Sequence, residues 1–102
     1  KKLGSNCLNG EVVIYRGTSK SEYDSKEFSQ SWTLKEKIAH DFAFVHYDTQ
    51  EDYTKTERVV LMSRIMSKHI YYYDKDDNED EVIIDERRLI IPPAIISQKT
   101  MD

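Results

Sequence analysis

The sequence predicts an α+β domain, mostly antiparallel, with one clear helix packed on a sheet. Three observations lead there. Short runs of β-formers recur along the chain, in EVVIY, RVVLMSRIM, HIYYY and EVIID. A single helical stripe stands between the first run and the rest. The apolar run Leu89–Ile96 carries Pro92-Pro93, which suits an edge strand and not a central one.

Taken in order, residues 1–10 form a polar lead-in. Glu11–Tyr15 reads as the first strand, ended by Arg16-Gly17-Thr18. Residues 19–30 are rich in Ser and Lys and read as a loop with room for one helical turn. Ser31-Trp32-Thr33 fits a short strand. In it Ser31 and Thr33 share one face and Trp32 takes the other, packed in the core. A helix follows. Leu34, Ile38 and Phe42 recur every four residues, with Ala39 and Ala43 beside them. Thr33 with Glu36 makes a capping-box pattern at its start. The helix should fade near residues 45–47, and residues 48–56 read as a polar loop. Arg58–Met66 and His69–Tyr73 are strand candidates. The Ser67-Lys68 pair between them is a poor turn signal, so one bent strand could run through both. Residues 74–80 form a loop, Glu81–Asp85 a strand, and Glu86-Arg87-Arg88 a turn.

The totals narrow the function. The 102 residues suit a single domain spanning 1–102. A net charge of -4 argues against a broad nucleic-acid-binding face. Cys7 is the one cysteine and reads as a free thiol, so a reducing cytoplasm is the simplest setting. No apolar run is long enough for a membrane span, and no signal peptide is visible. The chain lacks a starting Met, which implies processing or trimming.

The acidic stretch DNEDEVIID concentrates the chemistry. Asp74, Asp76, Asn78 and Asp85 match four positions of an EF-hand loop. Glu79 stands where that loop needs Gly, and the flanks read as strands, so a metal site is not expected. Glu79 and Glu81 are two residues apart, which in an extended segment turns both to one side. Close carboxylates disfavour each other's ionised form, and a fixed carboxylate can stabilise a sugar cation. A solvated loop is the plainer reading of the same run. Arg16 offers a fork of donors for phosphate, and Gly17 lets a planar ligand approach the main chain. A surface Arg and a turn Gly would look the same. Ser31 could orient a carboxylate, while Thr33 has the helix cap as its simpler role.

The order of these signals is more specific than any one of them. Tyr-Arg-Gly at 15–17 precedes Ser-Trp-Thr at 31–33, then Ala39-His40-Asp41-Phe42-Ala43, then Glu79-Asp80-Glu81-Val82. This pattern resembles the Arg–Ser–Glu class of mono-ADP-ribosyltransferases, the cholera-toxin-like and C3-like enzymes of bacteria and phages. The resemblance spans Val12 to Ile84. It implies a small ADP-ribosyltransferase-like fold of two roughly perpendicular antiparallel sheets, with NAD as co-substrate in the cleft between them and no metal.

Arg16 would hold the NAD phosphates and brace the site, and the Gly17 backbone would meet the nicotinamide amide. Ser31 would orient Glu81, the catalytic carboxylate, and Thr33 would match the last residue of the family's Ser-Thr-Ser motif. Glu79 would help to activate an acceptor. The implied reaction transfers ADP-ribose to a macromolecule, a protein arginine being favoured and nucleic acid staying open, with NAD hydrolysis as a side activity. Departures from the family pattern are the short spacing from Arg16 to Ser31, Trp32 in mid-motif, and no assigned aromatic for nicotinamide, though Phe44 and Tyr47 lie near the place. The competing expectation is a non-enzymatic binding or inhibitor module that uses the acidic loop and Tyr71-Tyr72-Tyr73. Acceptor identity and oligomeric state are not written in the sequence.

Overall fold

A computed structural model describes residues 10–45, 57–73 and 79–100. Six strands and two helices follow one another: β1 Glu11–Ser19, α1 Lys20–Ser25, β2 Ser31–Thr33, α2 Glu36–Phe44, β3 Glu57–Met66, β4 Ile70–Tyr73, β5 Glu81–Ile84 and β6 Ala94–Thr100. The strands join in one antiparallel sheet, in the order β4-β5-β2-β1-β3-β6. The α+β class and the single main helix are therefore as expected.

The hydrogen bonding makes one sheet, where two were expected, but that sheet cannot be flat. Strands β3 and β4 lie four places apart in it, which in a flat sheet is about 19 Å. The 3-10 turn Ser67–His69 that joins them can span at most about 15 Å from Met66 to Ile70. The sheet must therefore bend until its parts share a core. Ile14, Trp32, Leu61, Ile70 and Val82 come from β1 to β5 in turn and pack in one buried cluster.

The shortest pairing lies between β1 and β2. These two strands share a single register pair, Tyr15↔Thr33. The next pairs in register would set Arg16 against Trp32 and Gly17 against Ser31, and neither is formed. By contrast β1 is paired with β3 along its whole length, from Glu11↔Met66 to Ser19↔Arg58. That ladder also explains why β1 runs on through Arg16-Gly17-Thr18, where the sequence suggested an end. The same partner keeps β3 and β4 apart as two strands: β3 lies between β1 and β6, and β4 pairs with β5 at the sheet's edge. The strand expected over Leu89–Ile96 begins instead at Ala94, past Pro92-Pro93, and runs to Thr100 as β6 at the other edge, since proline cannot donate to a ladder.

Helix α2 lies against β1 and β3, and its deepest residues are Ala39 and Ala43, packed with Val60. Leu34 precedes the helix, and Ile38 and Phe42 are half-buried. The small residues are needed because the backbones nearly touch. A Cβ placed on Gly17 would lie 2.0 Å from the Ala39 carbonyl oxygen and 2.6 Å from the Ala43 nitrogen. Gly17 is thus a seat for the helix before it is anything else.

The capping box is not formed. Residue Lys35 is the N-cap of α2 and gives no side-chain cap bond. Thr33 is held in the β2 ladder instead, opposite Glu81, and its hydroxyl accepts from the Lys35 amide at 3.2 Å. The other end of α2 is closed by Arg58 of β3, which is 1 % exposed. Its guanidinium donates to the carbonyls of Ala43 (3.0 Å) and Phe42 (3.3 Å). A cation at a helix C-terminus is favoured by the dipole and satisfies carbonyls that lack helical partners.

Candidate active site

The parting of β1 from β2 opens a cleft of about 720 Å³. Arg16, Gly17, Ser31, Thr33, Glu79 and Glu81 all line it. The six residues singled out from the sequence therefore meet at one place.

Ser31 and Thr33 lie on one face of β2, and Glu81 on the same face of β5. Thr33 is directly opposite Glu81, and Ser31 is diagonal to it. The Ser31 hydroxyl crosses that diagonal and donates to Glu81 Oε2 at 2.5 Å. A short bond from a neutral donor to a carboxylate fixes the carboxylate's direction. The Thr33 hydroxyl donates to the Glu79 carbonyl at 2.6 Å. The strand β2 thus holds both glutamates, one by its side chain and one by its main chain.

Arg16 fills the gap left by the missing Gly17/Ser31 pair. Its Nη1 donates to the Ser31 carbonyl at 2.9 Å, where a strand amide would otherwise serve. Its Nε and Nη2 form a fork on Glu22, at 2.7 and 2.9 Å. Glu22 also accepts from the Thr18 hydroxyl at 2.9 Å and the Ser29 amide at 3.4 Å. Burial works against its charge, yet the Arg16 bonds and charge outweigh that and hold the Glu22 carboxyl below the usual range.

Glu22 was not foreseen. It lies on α1, whose N-cap is Ser19: the Ser19 hydroxyl accepts from the Glu22 amide at 3.2 Å. An acidic residue in the first turn of a helix is a local signal, but its partner six residues back is fixed only by the turn from β1 into α1. Phe42 is the second addition. Of the expected aromatics, Phe44 packs with Ala39, Ala43 and Val60, and Tyr47 lies outside the described residues. Phe42 and Tyr15 are the aromatic residues of the lining besides Trp32, whose side chain is buried in the core.

The acidic loop divides. Asp74, Asp76 and Asn78 lie outside the described residues. Asp85 is occupied by Arg87, whose Nε and Nη2 meet it at 2.9 and 3.0 Å. Those bonds, set against desolvation, hold the Asp85 carboxyl well below its ordinary range. Among the described residues no group of three His, Cys, Asp or Glu side chains is placed to bind a metal. Nor is any described helix long and apolar enough to cross a membrane. No family model, curated protein or solved structure matches the chain.

Proposed function

We propose that the chain is an NAD-dependent mono-ADP-ribosyltransferase that transfers ADP-ribose to a macromolecular acceptor and releases nicotinamide. One observation carries this reading: Arg16 grips the Ser31 carbonyl while the Ser31 hydroxyl grips Glu81, all within one cleft. The volume of that cleft falls in the range of small-molecule sites, and aromatic rings line it beside convergent polar groups. The bent sheet, parted at β1 and β2, supports the finer fold reading of two crossed antiparallel halves.

In this reading Glu81 stabilises the positive charge that grows on the ribose as its bond to nicotinamide breaks, the electron pair leaving with the nicotinamide nitrogen. Ser31 keeps Glu81 aimed. Glu79 takes the proton that an acceptor nitrogen, arginine favoured, loses on bonding to the same carbon. With water as the acceptor the outcome is NAD hydrolysis. Arg16 has five N–H donors, and three serve Glu22 and Ser31, which leaves two for a phosphate oxygen. Thr33 contributes by fixing the Glu79 main chain. Gly17 contributes its backbone at the open edge of β1.

The deciding experiment incubates the protein with labelled NAD and a cell extract. Glu81→Gln should lower both nicotinamide release and label transfer by about 10²-fold or more. Full activity in that variant would sink the assignment. The binding-module reading has one foothold, Tyr71, which is 54 % exposed on edge strand β4. It would gain if NAD gave no thermal shift and a stable partner co-purified through Tyr71.

A further inference from the structure

Asp80 stands between the two glutamates with a φ of 45°. A left-handed backbone is uncommon for any residue with a Cβ, and Asp tolerates it better than most. This conformation ends the strand alternation at Glu81. Glu79 is therefore set by the turn and not by the pleat, and that turn is held through Asp80 as well as by the Thr33 hydroxyl on the Glu79 carbonyl.

Asp80 is 9 % exposed and is held at three points. Its carbonyl accepts from the Leu34 amide at 3.2 Å. Its Oδ1 accepts from the Tyr73 hydroxyl at 3.2 Å. Its Oδ2 pairs with Lys35 Nζ at 3.0 Å. Leu34 and Lys35 lead into α2, and Tyr73 ends β4, so the residue ties the turn before β5 to the start of α2 and to the end of β4. Glu81, in contrast, is held without Asp80, by the Thr33↔Glu81 ladder position and by Ser31.

We propose that Asp80 is a positioning residue that fixes Glu79, the acceptor-side carboxylate, relative to Glu81. The proposal rests on the reading of these two glutamates as the reacting pair. Loss of the Asp80 carboxylate then harms transfer and largely spares NAD cleavage.

The test compares Asp80→Gly with Asp80→Asn and Glu81→Gln. Glycine keeps the left-handed backbone and deletes the carboxylate contacts. Asparagine keeps an acceptor for Tyr73 and loses the charge. The ratio of transfer onto a small guanidine to NAD hydrolysis should fall about tenfold in Asp80→Gly, and less in Asp80→Asn. Glu81→Gln should lose both reactions. An unchanged ratio in Asp80→Gly overturns the proposal.

If Glu81→Gln keeps both reactions, or the wild type shows neither, the catalytic reading falls and hydrogen exchange decides on the tie itself. The Leu34 amide should exchange at least about tenfold faster in Asp80→Gly. Unchanged exchange overturns the proposal on that branch too.

Discussion

Replacing Gly17 with alanine should be far more damaging than its single methyl suggests. The added carbon would meet the Ala39 carbonyl oxygen at 2.0 Å, the Ala43 nitrogen at 2.6 Å and the Ala39 carbonyl carbon at 3.0 Å. All three are backbone atoms, so no side chain can turn aside. Real contacts of this kind do not fall below 3.0 Å, so α2 must recede by at least about 1 Å. That displacement loosens the Ala39, Ala43 and Val60 contact and lengthens the Arg58 bonds to Phe42 and Ala43. Overpacking alone costs about 1–3 kcal/mol, and a weakened charged hydrogen bond adds about 1 kcal/mol. The sum is roughly 3 kcal/mol, or a fall in Tm on the order of 15 °C for a domain of this size.

Gly10→Ala is the matching control. Nothing lies within 4 Å of a Cβ there, but its φ is +63°, so only backbone strain is charged, about 1 kcal/mol. Thermal and urea unfolding followed by circular dichroism measure both variants. A Gly17→Ala protein within about 0.5 kcal/mol of wild type would show that α2 is not seated as described.

Arg58→Met should destabilise by about 2 kcal/mol in urea unfolding, because two carbonyls at the end of α2 lose a charged donor. Arg58→Lys should recover part of that loss. Glu22 has a folded-state pKa below its ordinary 4.5, so its contribution is present above about pH 4.5 and is lost as pH falls through the folded value. Glu22→Gln should therefore flatten the acid limb of a Tm-against-pH curve, and an unchanged limb would refute the linkage. Ser31→Ala should lower kcat for nicotinamide release by about tenfold with little change in KM, as expected of a group that aims Glu81 and does not bind substrate.

What was legible in the sequence was whatever its own neighbours decide. The β-formers of Glu11–Tyr15 and of the stretch after Glu81, the apolar stripe of α2 and the two prolines each act locally, and each element is present. The order of Arg16, Ser31 and Glu81 pointed to one cleft, and these side chains do meet in one.

The failures share a cause, which is a partner distant in sequence. Thr33 has a capping pattern beside it, but the β5 ladder claims its backbone and the Glu79 carbonyl claims its hydroxyl. Arg16-Gly17-Thr18 looks like a strand end until β3 is laid along it. Gly17 looked like an opening for a ligand, and the closer demand on it comes from α2. Glu22 could not be chosen from the other acidic residues, because only the turn from β1 into α1 brings it to Arg16.

The single Tyr15↔Thr33 pair also sets where the molecule is mechanically soft. Pulling β1 from β3 means unzipping nine register pairs together. Between β1 and β2 the hydrogen bonding is one backbone pair and one guanidinium contact, about 1–3 kcal/mol, and the core shared by Ile14 and Trp32 supplies the rest of the hold. The seam along the cleft is therefore held by side chains more than by backbone, and Arg16 is the polar tie across it.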